Sequence, residues 1–158
     1  MPMQIHLVRH AHAGSRSRWD GPDEHRPLSD KGWAQARAIG KDLRKAGIDL
    51  LWSSPYLRCR QTLEPLAERL GLEVADHDLL AEGGWGPPAL DALLEAAAAG
   101  RTVAACSHGD IIPAVIDAAV NRGARLVGPG SPSKGARYEC EVVDGTIVRI
   151  VHVPAPEA

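Results

Sequence analysis

The stretch "HLVRHAHAG", residues 6–14, reads as a buried strand that runs straight into chemistry. Ile5, His6, Leu7 and Val8 form a mostly apolar run that stops at Arg9, and His10 and His12 follow at once. A later stretch, "TVAACSHG" (102–109), has the same form: an apolar run that ends on a histidine and a glycine. In an open parallel sheet, functional groups collect at the carboxyl ends of strands. Two strands that end this way put Arg9, His10 and His108 on one edge of a sheet.

Outward from these strands the chain alternates strand and helix. Residues 10–28 read as a loop without usable periodicity. Ser29 is a good N-cap, and Trp33, Ala36, Ile39, Leu43 and Ala46 recur at helical spacing before Gly47. Residues 48–54 predict a second strand, and 55–71 a helix opened by Pro55 and closed by Gly71. Pro65 is expected to bend that helix or end its first half. A short strand at "LEVAD" (72–76), a loop at 81–88 and an Ala-rich helix over 89–99 come next. A strand over 102–108 and a helix over 111–121 follow. Residues 136–153 alternate around Asp144-Gly145, a strong hairpin signal, and the tail beyond Val153 is expected to fray. The pattern predicts an α/β fold: a three-layer α/β/α sandwich with a mostly parallel central sheet and a C-terminal antiparallel hairpin.

Composition narrows the function classes. A chain of 158 residues suits one domain with a full core. That core is aliphatic, because there is no Phe. The formal net charge of -2 suggests neither nucleic acid nor an anionic membrane as a partner. Cys59, Cys106 and Cys140 show no metal-ligand spacing and no disulfide framework, which fits a reducing compartment. The first strand starts too early to leave room for a leader, and no window has the length of a membrane span. A soluble, cytoplasmic protein is expected.

The second predicted strand ends in "SSPYLRCR" (53–60), so Arg58 and Arg60 belong to the first turns of the next helix, on the same sheet edge. Two histidines and several arginines converging on one crevice imply an anion. The guanidinium fork matches phosphate oxygens. Neighbouring positive charge disfavours imidazolium, and an unprotonated ring nitrogen aimed at phosphorus is a nucleophile. Arg9 is thus expected to grip a phosphoryl oxygen while His10 attacks. Arg60 has a simpler account, an ion pair with Glu64 one helical turn away.

In this order and on these elements, "LVRHA", "SSPYLRCRQT" and "SHGD" resemble the histidine phosphatase superfamily, the phosphoglycerate mutase-like proteins. Ala11 stands where the family's motif has glycine. The short chain is similar to the SixA-type phosphohistidine phosphatases. "RPLSDKGWAQA" (26–36) and "RCRQTLEPLAERLG" (58–71) also resemble the phosphatase domain fused to some Nudix hydrolases. The resemblance implies one histidine phosphatase domain over 1–158 and a metal-independent phosphatase without cofactor. It makes His10 the residue that becomes phosphohistidine, with Arg9 and Arg58 on the phosphoryl oxygens and His108 completing the pocket. Glu82 stands about where many members carry their general acid, and an ordinary loop carboxylate accounts for it equally well; if it is the acid, its pKa is expected to be raised by the apolar surroundings of Trp85. Arg16, Arg18, Arg26 and Lys134 are candidates for a rim that binds a second phosphate or an acidic surface. His12, His25, His77 and His152 are expected to be structural or exposed. The implied partner is a phosphorylated substrate: a phosphoprotein, a small phosphomonoester or a nucleotide.

Rival chemistries fare less well. His10 and His12 form a His-x-His pair, as in amidohydrolase barrels, but such barrels need about 250 residues and Arg9 would repel a cation. Pro65, Ile112 and Thr146 stand where a cysteine phosphatase would need an arginine after Cys59, Cys106 or Cys140. There is no Gly-x-x-x-x-Gly-Lys-Ser/Thr loop. A non-catalytic phosphate-binding module and a mutase on the same fold remain as alternatives.

Overall fold

The structure is a computed structural model and describes residues 3–157. Its centre is one seven-stranded sheet built from β1 (Met3–Arg9), β2 (Leu50–Ser53), β3 (Val74–Asp76), β4 (Val103–Ser107), β5 (Arg125–Val127), β6 (Arg137–Val143) and β7 (Thr146–Val153). The order across the sheet is β3-β2-β4-β1-β6-β7-β5. The neighbours β3/β2, β2/β4, β4/β1 and β7/β5 are parallel, while β1/β6 and the hairpin β6/β7 are antiparallel.

Two helices cover each face. On one side α1 (Asp30–Leu43) and α2 (Leu57–Leu70) bury Ile39, Leu43, Leu63 and Leu66 against Val8, Leu51, Ala104 and Cys106. On the other, α3 (Gly86–Ala98) and α4 (Ile111–Asn121) bury Leu90, Leu93, Ile112 and Val115 against Ile5, Leu7, Val103 and Ala105. Odd and even positions of β1 and β4 go to opposite faces, as the two-residue strand period demands. This is the three-layer sandwich expected from the sequence.

Register positions the site. Ile5 pairs with Val103 and Arg9 with Ser107, so β1 and β4 end level and release His10 and His108 side by side. Ser53 pairs with Cys106, which brings the start of α2 to the same edge.

Several boundaries differ from the sequence reading. α2 runs unbroken through Pro65. A proline inside a helix costs about 3 kcal/mol, and here the burial of Leu63, Leu66 and Ala67 outweighs it. At this point α1 comes in close: a Cβ on Gly40 would sit 3.1 Å from the Leu66 amide nitrogen. α3 begins at Gly86, within the predicted loop, because Pro87 and Pro88 fall in its first turn, where no backbone N–H is needed. β5 was not foreseen; its three residues are too few to show a pattern. The tail does not fray at Val153: Ala155 and Pro156 are half-buried, with Ala155 against Gly135. Asp144 and Gly145 both have positive φ, 51° and 77°, as a two-residue hairpin turn requires. No helix among the described residues is long and apolar enough to cross a membrane.

Candidate active site

His10 follows β1 directly, and its amide donates to the Ser107 carbonyl at 3.0 Å. Its Nδ1 lies 2.8 Å from the Ala11 carbonyl oxygen. A carbonyl only accepts, so in the neutral ring Nδ1 carries the proton and Nε2 keeps its lone pair. The side chain is 5 % exposed. Burial, ahead of the nearby charges of Arg58, His108 and Arg9, pushes its pKa down to about 3, even though the Ala11 bond favours the charged form. The sequence reading anticipated the neutral imidazole but credited the arginines; removal from water is the larger cause.

The loop after His10 is braced to both helices. The Ala11 amide donates to Thr62 Oγ1 on α2, which in turn donates to the Arg58 carbonyl. Ala11 is fully buried and packs with Ala13, Leu28 and Ala36, so the methyl group replacing the family's glycine hydrogen has its own apolar niche. The His12 ring nitrogen Nδ1 is 2.6 Å from Ser29 Oγ, and its carbonyl accepts from the Ser29 amide. His12 is therefore a brace for the start of α1 and not a second member of a His-x-His pair. A Cβ on Gly32 would lie 1.9 Å from the His12 carbonyl oxygen, which shows how closely α1 is seated on this loop.

His108 stands opposite His10, with ring centroids 5.5 Å apart in an edge-on arrangement. Its Nε2 contacts Ser54 Oγ at 2.8 Å and Cys59 Sγ at 3.6 Å. Its Nδ1 is buried without a hydrogen-bond partner among the described residues, and Glu82 Oε2 lies 4.0 Å away. Arg9 donates from Nη1 to the Pro132 carbonyl, and its guanidinium lies flat against Gly109, where a Cβ would approach the Cζ to 2.8 Å. Arg58 is 1 % exposed. It donates to the Asp23 carbonyl (2.9 Å), to Asp23 Oδ2 (3.0 Å) and to Glu82 Oε2 (3.0 Å). The Nε atoms of both arginines are buried and unpartnered among the described residues. An unsatisfied buried donor costs about 1–3 kcal/mol, and bound oxyanions would relieve it.

Asp23, which the sequence reading passed over, organises the basic side chains. Its Oδ1 takes Arg26 Nε at 3.0 Å, and its Oδ2 takes Arg58 at 3.0 Å and Arg16 at 3.3 Å. Burial alone would raise its pKa, but the bonds to Arg26 and Arg58 outweigh this and hold the carboxylate ionised. The available signal was its place three residues before Arg26 in "DEHR". Glu82 bonds Arg16 (2.8 Å) and Arg58. Its surroundings are guanidinium groups and not the indole of Trp85, which is 76 % exposed, so the expected apolar environment is absent. Asp110 caps α4 through the Ile111 amide and holds the Glu82 loop by accepting from the Gly83 amide at 2.8 Å.

Together these groups line a cleft of about 430 Å³ that contains Arg9, His10, Arg16, Arg26, Arg58, Glu82, His108 and Lys134. Five basic residues face two carboxylates, Glu82 and Asp110. Burial, then Arg9, Arg26 and Arg58, push the Lys134 pKa down, as expected of cations crowded around an anion site. Arg18 is not in the cleft; it lines a neighbouring groove. Arg60 pairs with Asp76 and not with Glu64, and stays outside.

Comparison with known proteins agrees with this geometry. The description of the histidine phosphatase superfamily (branch 1) matches residues 5–93. An 8-oxo-(d)GTP phosphatase of Mycolicibacterium smegmatis is 32% identical over 154 residues, covering 96% of this chain and 48% of that protein. Phosphoserine phosphatase 1 of Hydrogenobacter thermophilus is 29% identical over 101 residues, 59% of this chain and 46% of that protein. The chain thus spans about half the length of the curated relatives it matches. Among solved structures, the protein histidine phosphatase SixA complexed with tungstate superposes with a TM-score of 0.76 at 23% identity, over 92% of this chain and 93% of that one. A structure assigned as phosphohistidine phosphatase SixA from Nakamurella multipartitia gives 0.65 at 31% identity, over 85% and 81%. From the matched stretch and from the meeting of its motifs at one sheet edge, the chain belongs to the histidine phosphatase superfamily, branch 1.

Proposed function

We propose that this chain is a metal-independent phosphoric monoester hydrolase that works through a phosphohistidine on His10. The observation that carries this reading is the bare Nε2 of a buried, neutral imidazole at a cleft lined by arginines. Arg9, Arg58 and His108 hold the phosphoryl oxygens and take up the charge that spreads over them, the task metal ions perform in other phosphoryl-transfer sites. The Nε2 lone pair forms the P–N bond as the P–O or P–N bond to the leaving group breaks. A phosphate that enters as its monoanion takes Arg58 from Glu82 and brings the proton that Glu82 passes to the leaving group. Water then attacks phosphorus, Glu82 takes its proton back, the bond to His10 breaks and inorganic phosphate departs.

Arg16, Arg26 and Lys134 extend the cationic surface beyond the transferred group. Two leaving groups suit this chemistry. Similarity to structures assigned as SixA supports a phosphohistidine imidazole. Similarity to the 8-oxo-(d)GTP phosphatase supports a nucleotide.

The test is hydrolysis of p-nitrophenyl phosphate with chelator present. The wild-type rate is expected to be unaffected by chelator, and His10→Ala to abolish it. Undiminished hydrolysis by His10→Ala would refute the reading and favour another nucleophile; no hydrolysis by the wild type of any phosphate compound would favour a binding module.

A further inference from the structure

A groove of about 260 Å³ lies beside the cleft. Its walls are largely apolar, formed by Ala13, Trp19, Pro27 and Leu28. It is continuous with the cleft, because Gly14 and Arg26 line both. Its walls are set in advance. Arg26 donates to the Ala13 carbonyl at 2.7 Å, the Leu28 amide donates to Gln61 Oε1 at 2.8 Å, and Trp19 Nε1 donates to the Pro22 carbonyl at 2.9 Å. The last bond pins one edge of an indole that is 37 % exposed. The guanidinium of Arg18, also on this groove, has no hydrogen-bond or ion-pair partner among the described residues, unlike those of Arg16 and Arg26. A Cβ at Gly14 would meet nothing within 4 Å, so the passage between cleft and groove is open.

We propose that this groove holds the base of a guanine nucleotide whose phosphate occupies the cleft, an inference that rests on the phosphatase reading above. The sugar passes Gly14, and the base lies against Trp19, Pro27 and Leu28. A purine offers flat apolar faces to an indole, and stacking on aromatic side chains is a common means of holding bases. The free guanidinium of Arg18 matches the O6 and N7 acceptors of guanine, a bidentate pairing that adenine does not offer. A phosphoprotein would present a broad surface, whereas this groove is small, apolar and supplied with a single unpaired cation.

The experiment compares kcat/KM for GMP and GDP with that for AMP and ADP, for glycerol phosphate and for a phosphohistidine peptide, using wild-type, Trp19→Ala and Arg18→Ala proteins. The wild type is expected to prefer at least one guanine nucleotide over glycerol phosphate. Trp19→Ala should reduce that preference by roughly tenfold, from the loss of one stacked base. Arg18→Ala should erase discrimination between guanine and adenine nucleotides. Equal rate losses on all substrates, an unchanged preference, or a Trp19 effect confined to the phosphohistidine peptide would each overturn the assignment. Calorimetric titration of GDP and of inorganic phosphate into the His10→Ala protein reads the groove without turnover. GDP binding that Trp19→Ala weakens supports the groove even if turnover fails, and GDP binding no tighter than phosphate overturns it. Hydrolysis of glycerol phosphate by the wild type tests the phosphatase reading separately.

Discussion

At the scale of single residues, the controlling feature is which nitrogen of His10 carries the proton. The Ala11 carbonyl fixes it on Nδ1, and burial keeps the ring neutral. The pKa of about 3 has a measurable consequence. Between the ordinary imidazole value of about 6.5 and about 3, the unfolded chain binds a proton that the folded one does not, so His10 lowers stability as pH falls through that window and has no such effect above it. The ring-proton NMR shift of His10 should stay flat from pH 8 to pH 4, roughly the span above its depressed pKa. A midpoint near the model-peptide value would show an exposed imidazole instead. Asp23 acts through other residues: it positions Arg58, Arg26 and Arg16. Asp23→Asn is expected to lower kcat by roughly tenfold, the scale of one charge-assisted bond that tightens in the transition state, with the fold intact by circular dichroism. An unchanged kcat would show that Arg58 holds its place without Asp23.

At the scale of elements, the site depends on level strand ends and on tight seating of α1. A methyl group on Gly32 would meet the His12 carbonyl at 1.9 Å. Gly32→Ala should therefore displace the loop that carries His10, costing about 1–3 kcal/mol of stability and reducing turnover; an unchanged urea midpoint would argue against that seating. Much of this level was legible in the sequence. The repeated strand endings at Arg9-His10 and Ser107-His108 placed both histidines on one edge, and Ser29 marked the start of α1 as its side chain accepts from the Gly32 amide. What escaped were features set by tertiary contact. α2 passes through Pro65 because its buried face outweighs a local cost, and β5 exists only by pairing with β7. Arg60 finds Asp76, on a neighbouring strand, and not the helical neighbour that spacing suggested. Trp85 turns to solvent, so proximity to Glu82 in sequence gave the wrong surroundings for that carboxylate.

At the scale of the whole molecule, a net charge of -2 conceals a strongly cationic cleft. Uniform composition excluded little about small anions; the distribution of charge is what matters, because a concentrated basic cleft draws anionic substrates toward it. Sheet register, the Asp23 contacts and the packing of α1 and α2 all direct that charge at one imidazole nitrogen. The most direct test is to quench the wild-type protein during turnover of a ³²P-labelled phosphomonoester and map the label by mass spectrometry. Acid-labile, base-stable phosphate on the Nε2 of His10, absent from His10→Ala, is the predicted result. Steady turnover with no label on His10, or label retained in the His10→Ala protein, would contradict it.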